Sequence, residues 1–333
     1  MSFPFCRISQ SLFAKEEFAT VHAKFTQSLR LRGFSPEQLT EVVRGARLEH
    51  FILSRAKCDA QLTRWSFGDF TVDTGHYSFP ARIVGSFAKG RLCLGYMRRQ
   101  SAPSWVNGLI ADNSTVEFYP DGAEVNYCAA PGAAWVAIVF TEDSLQTAAR
   151  STLGHEVALP WKHVVNFCIS QSDRGALDGL VNRLWTHPVS GTAMITPILG
   201  AVAEILDAHQ QHSPAGKISK PEHRQAILKR ADDFLHGHLS SPFRLESLAS
   251  ATGTTVRTLQ RVFRDAYGLA PHEWARCLAL HRARQTLRSP AAHKLTVQGI
   301  ARDSGFRHMG RFSEYYRELF DELPSITLTT ATR

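Results

Sequence analysis

Between Leu48 and about Phe140 the chain alternates apolar and polar positions in short runs: LEHFIL, LTRWSF, FTVDTG, RIVGSF, RLCLGYM, TVEFY, AEVNYC and AWVAIVF. Turn formers stand between them, at Gly68-Asp69, Lys89-Gly90, Asp112-Asn113, Asp121-Gly122 and Pro131-Gly132. A period of two broken by tight turns predicts an antiparallel β sandwich or barrel. Upstream, Ser35-Pro36-Glu37-Gln38 has the order of a capping box and predicts a short helix to about Gly45. The first thirty residues predict no clear element.

Beyond Thr141 the period becomes helical. Leu177, Leu180, Val181 and Leu184 form one stripe, and Ile195, Ile198, Leu199, Val202, Ile205 and Leu206 form another in a helix that Pro197 must enter near its first turn. Two readings stand side by side: packing onto the β region, or a self-association seam built from Leu177, Leu180, Val181, Leu184, Ile198, Val202 and Ile205. QQHSPAGKISKPEH, residues 210 to 223, then gathers Ser, Pro, Gly and Lys and reads as a linker.

The last third is helical throughout. His223 to His236 turns Ile227, Ala231, Phe234 and Leu235 inward, and Ser241-Pro242 breaks the pattern. LESLASATG, 245 to 253, is a short helix stopped by Gly253; a threonine at 254 or 255 can cap the next helix, on which Val256, Leu259 and Phe263 face a core. Arg257, Gln260, Arg261 and Arg264 then form an outward row at i, i+3, i+4 and i+7. A short helix, a glycine turn and a second helix with a cationic outer face make a helix-turn-helix. The pattern recurs: LTVQGIARDSGFRHMGRFSEYYRELFDELP, 295 to 324, aligns on 245 to 271 with Ile300 on Leu248, Gly305 on Gly253, Phe312 on Leu259 and Tyr316 on Phe263, one residue longer in the turn. Between the copies, Pro271 opens a long helix carrying Trp274, Leu278 and Leu287, which fixes their spacing.

Composition sharpens this picture. At 333 residues and 44% apolar content the chain can bury about two domains. Of the formal charge of +8, +6 falls from Glu222 onward, where a polyanionic partner is expected. The six cysteines form no C-x-x-C pair and read as reduced, mostly buried residues. The opening MSFPFCRISQ lacks a signal-peptide pattern and no run approaches eighteen apolar residues, so the expectation is a cytoplasmic protein with no membrane span. No G-x-S-x-G, H-E-x-x-H, P-loop or dinucleotide fingerprint occurs, and His76 stands alone in DTGHYSFP; neither an enzyme, a metal nor a cofactor is expected.

R-x-L-Q-R-x-F-R-x-x-x-G-x-x-P at 257 to 271, followed by I-A-R-D-S-G-F at 300 to 306 and F-S-x-x-Y at 312 to 316, resembles the DNA-binding domain of AraC/XylS-family transcription regulators. The resemblance covers about residues 222 to 326. It implies a cupin-like, small-molecule-binding β domain ahead, double-stranded DNA and RNA polymerase as partners, and base contacts from the positions of Arg257, Gln260 and Arg261, with Arg264 on phosphate. Arginine can grip guanine O6 and N7 and glutamine adenine N6 and N7, which suits these positions. The candidate DNA-binding set is Thr255, Arg257, Thr258, Gln260, Arg261 and Arg264 in the first unit, and Arg307, His308, Met309, Arg311, Ser313, Glu314 and Arg317 in the second. Glu314 and Asp321 depart from the family pattern.

The expected fold class is thus α+β: an antiparallel β sandwich or barrel with flanking helices, then an all-α domain of two helix-turn-helix units joined by a long helix. The expected organisation is a β-rich regulatory domain at 1–165, a helical dimerisation region at 166–209, a linker at 210–221 and a DNA-binding domain at 222–333 that folds alone. Trp65, Tyr77, Tyr96, Trp105 and Tyr127 are candidates to line an effector pocket, and Arg82, Arg98 and Arg99 to anchor an acidic effector. The expected protein is a homodimeric regulator, an activator, governed by a small molecule or, alternatively, by a protein partner.

Overall fold

The computed structural model describes residues 26–33, 36–54, 58–159, 161–186, 193–212, 221–239, 243–289 and 295–331. The first segment, Ser35 of the expected capping box and most of the expected linker lie outside them.

The alternating region forms strands Thr26–Arg32 (β1), Ala46–Ile52 (β2), Asp59–Phe67 (β3), Phe70–Tyr77 (β4), Ala81–Phe87 (β5), Leu92–Arg99 (β6), Ser104–Val106 (β7), Leu109–Ala111 (β8), Thr115–Tyr119 (β9), Glu124–Ala129 (β10) and Ala133–Phe140 (β11); Val165–Cys168 (β12) follows later. Where a longer helix was expected, one 3-10 turn spans Pro36–Leu39. The chain leaves it to return through Gly45, at φ +74°, into β2, so a helix has no room to continue.

Two antiparallel sheets stack face to face, in the orders β1-β3-β4-β11-β6-β9-β12 and β2-β5-β10-β7-β8. Leu48, Ile83, Val125, Met97 and Ala137 pack between them. Because successive side chains point to opposite faces, the smaller sheet presents two different rows. His50, Ile83 and Tyr127 are register partners facing the interior, and Phe51, Arg82 and Cys128, one residue along on the same strands, face outward.

The outer face of the larger sheet, with Trp65, Val72, Leu94, Phe118 and Ile138, is covered by helices Glu142–Thr152 (α1), Gln171–Thr186 (α2) and Ile195–His212 (α3). Thr141 and Ser144 form a capping box at the start of α1. This packing corrects the expected dimer seam. Leu177, Val181, Leu184, Ile198, Val202 and Ile205 are buried in this core and Leu180 is packed against its margin, so the stripes on α2 and α3 are consumed within the chain.

The remaining helices are Pro221–His238 (α4), Leu245–Thr252 (α5), Val256–Tyr267 (α6), Pro271–Leu287 (α7), Val297–Asp303 (α8), Met309–Phe320 (α9) and Pro324–Ala331 (α10), of which α4, α6 and α7 sit against the outer face of the smaller sheet. The last third has a core of its own around α7, α8 and α9, but its other core is shared with the sheet: Phe51, Leu53 and Cys128 pack with Ile227, Ala231, Phe263 and Trp274. At the centre, Arg82 is 3% exposed and pairs with Asp232 of α4. Asn126 Oδ1 accepts from Arg82 Nε at 3.0 Å, and Asp232 Oδ1 accepts from Trp274 Nε1 at 3.2 Å. The guanidinium lies 4.9 Å from the Trp274 ring and 5.3 Å from that of Tyr267. At the end of β2, the Ile52 carbonyl accepts from Cys277 Sγ at 3.0 Å and from His281 Nε2 at 3.1 Å. Burial holds His281 neutral, down to about 3.

Leu184→Ala is expected to cost about 2–5 kcal/mol, the usual range for truncating a fully buried leucine, and to act on folding without changing the association state; urea unfolding and sedimentation read the two effects. Arg82→Ala strands the Asp232 carboxyl and is expected to cost about 3–5 kcal/mol, whereas Arg82→Met combined with Asp232→Leu recovers most of that loss, because an apolar pair of similar bulk avoids the desolvation of both charges.

Candidate nucleic-acid interface and effector cavity

The first helix-turn-helix is built from local signals. Gly253 closes α5 at φ +69°, with its N–H directed to Ala249 and Ser250 carbonyls, a conformation that costs glycine nothing. Thr255 caps α6, its hydroxyl accepting from Thr258 N at 3.2 Å and meeting the Thr258 hydroxyl at 3.1 Å. The cap fixes the rotation of α6: Leu259, Val262, Phe263, Ala266 and Tyr267 are buried, and Arg257, Gln260, Arg261 and Arg264 are exposed along the opposite side. Among the described residues these four side chains make no hydrogen bond or ion pair, so the donors point at solvent.

The second unit repeats the design with altered parts. Thr296 caps α8 by accepting from Gly299 N at 3.0 Å, and Gly305 turns the chain at φ +89°. The next helix starts three residues beyond Gly305 at N-cap His308, against two beyond Gly253 in the first unit, and His308 gives no side-chain cap. Phe312 and Tyr316 fix α9 inward; Arg307, His308, Arg311, Glu314 and Arg317 are exposed, and Met309 and Ser313 half-buried. Asp321 takes the left-handed conformation at the helix end, φ +59°. Glu314 has no ion-pair partner among the described residues. The Tyr316 hydroxyl meets Thr327 of α10 at 2.9 Å, Thr327 donates to Glu322 at 2.8 Å, and Glu322 pairs with Arg284 of α7 at 3.2 Å, which ties the second unit to the long helix.

Helix α7 belongs to both helical cores: Trp274, Cys277 and Leu278 pack in the first, Leu280, Ala283 and Leu287 in the second. Its 17 residues give a rigid spacer of about 25 Å.

The interior of the sandwich holds a cavity of about 80 Å³. Tyr77, Tyr96 and Tyr127, three of the five expected effector residues, line it from β4, β6 and β10. Trp65 and Trp105 lie elsewhere, and the Tyr96 hydroxyl is engaged outside it. Trp65 faces the helix layer, 4.6 Å from the Trp185 ring, and Tyr96 donates to Asp178 of α2 at 3.0 Å beneath Arg174. Trp105 lies on the outer face of the smaller sheet under Arg224, at 4.7 Å. Strand alternation separates them: Tyr96 stands between Gly95 and Met97, which take the interior face. The expected acid-anchoring arginines are also elsewhere, Arg82 in the interdomain pair and Arg98 with Asp178 at 3.1 Å.

Two polar residues in the cavity were not singled out from the sequence. Glu117 and His50 are 2% and 1% exposed, and among the described residues Glu117 Oε1 and His50 Nδ1 have no hydrogen-bond partner. Burial pushes the Glu117 carboxyl up to about 8 and the His50 imidazole down to about 3. His50 Nε2 lies 3.1 Å from the Tyr77 hydroxyl. The available signal was a charged residue at the centre of TVEFY, an otherwise apolar strand.

Residues 248–330 match the family described as a helix-turn-helix domain. The chain is 37% identical over 100 residues to the XylDLEGF operon transcriptional activator of Pseudomonas putida, covering 30% of this chain and 31% of that protein. It is 28% identical over 171 residues to a probable thc operon regulatory protein of Rhodococcus erythropolis, covering 46% and 51%. The matches therefore span from about a third to half of these relatives' lengths. A solved transcriptional regulator with an AraC-type DNA-binding domain, from Chromobacterium violaceum, aligns at 26% identity with a TM-score of 0.31, over 33% of this chain and 95% of its own. The two capped units in tandem and the matched residues make the C-terminal part of this chain a double helix-turn-helix domain of the AraC/XylS type.

Proposed function

We propose that the protein is a sequence-specific DNA-binding transcription regulator, an activator, whose sandwich senses a small molecule. The observation that carries this reading is the row Arg257, Gln260, Arg261 and Arg264: four unpaired donors on the outer side of the second helix of a capped helix-turn-helix. In this reading the first three reach base edges in the major groove and Arg264 holds a phosphate. Helix α9 enters a neighbouring groove segment with His308, Met309 and Arg311, about one helical turn away. The similarity to the P. putida activator supports the activator reading, for which RNA polymerase is the partner the role implies. A homodimer on paired half-sites would join through a surface other than the α2 and α3 stripes.

The sensing part rests on the two rows of the smaller sheet. His50, Ile83 and Tyr127 line the cavity, while Phe51, Arg82 and Cys128, adjacent on the same strands, seat the DNA-binding helices. A ligand that moves β2, β5 or β10 moves both rows, and its differential affinity for the two positions sets the size of the response.

Titration of the full chain against a selected duplex and a scrambled one, at three salt concentrations, tests the DNA reading. Arg257→Ala is expected to cost about 1–3 kcal/mol on the selected site and much less on the scrambled one. Arg264→Ala is expected to weaken both alike and make log K against log salt shallower by about one ion. Glu314→Gln loses preference at one base pair if the carboxylate accepts from cytosine N4, and binds every sequence more tightly if it only repels phosphate. Equal weakening of both duplexes by Arg257→Ala would make the row a phosphate clamp.

A further inference from the structure

The cavity between the sheets has a chemistry of its own. Its polar groups are the Glu117 carboxyl, the neutral His50 imidazole and tyrosine hydroxyls, and among the described residues no lysine or arginine lines it. The Glu117 side chain is seated by Gly95, where a Cβ would approach Oε2 to 2.9 Å, and Gly75 admits the Trp135 ring, which a Cβ would meet at 2.2 Å. Two glycines on the strands that flank β11 thus make room for one carboxyl and one indole facing the same space. A buried carboxyl oxygen without a partner carries a desolvation cost unless something absent from the apo chain satisfies it.

The sign of the missing partner follows from the walls. An anionic ligand would find no cation and a second acidic group. An ammonium group finds a carboxyl to share its charge, and the faces of Tyr77, Tyr119, Tyr127 and Trp135 attract cations within about 6 Å through their ring quadrupoles. Size narrows the class further. A cavity of about 150 Å³ takes benzene, so 80 Å³ suits about three or four non-hydrogen atoms.

We propose that the ligand of this cavity is a small organic cation, a protonated alkylamine, held by Glu117 as its counter-ion and by Tyr77, Tyr119, Tyr127 and Trp135 as its aromatic walls. The proposal rests on the reading of the sandwich as the sensing domain and assigns the chemistry of what it senses. Around Glu117 stand Cys93 on β6, Tyr119 on its own strand, Tyr127 on β10, His50 on β2, Arg174 on α2 and Asp112 in the β8–β9 turn. Burial keeps the carboxyl protonated up to about pH 8, Arg174 opposing that effect and Asp112 adding to it. An ammonium ligand pairs with the ionised form, so below pH 8 its entry must release a proton. Affinity then rises about tenfold per pH unit from 6 toward 8 and levels off above, the sign expected when the bound state holds fewer protons than the free one.

The test is calorimetric titration of the full chain with propylamine, 1-propanol and propionate, three probes of nearly one shape, with the thermal midpoint recorded alongside. At pH 7 only propylamine is expected to bind and raise the midpoint, releasing about one proton per site, as buffers of different ionisation heat report. Glu117→Gln, close in shape and always neutral, is expected to stay folded and lose propylamine binding. The pH slope of the unmodified protein gives the same answer without any substitution. Retention of amine binding in Glu117→Gln, or an affinity independent of pH between 6 and 8, overturns the assignment. Binding of propionate or propanol in place of the amine also overturns it but leaves the sensing reading intact; silence from all three overturns both.

Discussion

The pairing of Arg82 with Asp232 is the constraint on which the arrangement of the two halves depends. Both charges have left water, at a cost of several kcal/mol each that is recovered only if every donor and acceptor is placed well. Asn126, Trp274 and the ring of Tyr267 complete that placement, and they come from β10, α7 and α6 respectively. A buried pair of this kind adds little net stability compared with an apolar pair. Its effect is on geometry: α4, α6 and α7 meet the sheet in one register, because sliding by a single residue would leave a bare charge in a dry interface.

That register matters because the sheet beneath is thin. One layer of backbone separates the cavity from the seat of the helices, and three strands contribute to both. Side chains on a strand cannot shift independently of the pleat that carries them. His281 and Cys277 add a further tie where β2 ends, at the Ile52 carbonyl, and Phe51 beside it packs edge-on against Trp274 and His281. The interior of the sandwich and the base of α7 are therefore mechanically adjacent, although some 230 residues separate Ile52 from His281 in sequence.

The elements legible in the sequence were those whose cause is local. Strands β2 to β6 and β9 to β11 follow from alternation, and α5, α6, α8 and α9 follow from caps, glycine turns and a core-facing stripe, so their outward faces could be named residue by residue. What lay hidden has distant causes. The stripes on α2 and α3 are visibly apolar, but nothing local says whether a second chain or the chain's own sheet covers them. Arg82 looks like any surface arginine until Asp232, 150 residues on, is brought beside it. Among the aromatics, all five candidates sit on strands, and only the register of each strand decides which face the ring takes; Tyr77 and Tyr127 fall inside, Tyr96 borders the cavity while its hydroxyl reaches Asp178, and Trp65 and Trp105 lie elsewhere. β7, β8 and β12 escaped notice because a strand of three or four residues shows too few alternations to stand out, and β1 because TQSLRLR has only Leu29 and Leu31 as apolar positions.

The unequal turns of the two helix-turn-helix units have a further meaning. Thr255 caps one reading helix and His308 opens the other a residue later, so the two helices begin at different points and carry different side chains outward. A molecule that touches a duplex through two unlike ends has a head and a tail. In the proposed DNA reading its site has no internal symmetry to match, and turning the site around would exchange the end that bears Gln260 for the one that bears Glu314. Under that reading, polarity along DNA is written into a single chain, and which flank of the site the rest of the protein faces follows from the order of the bases.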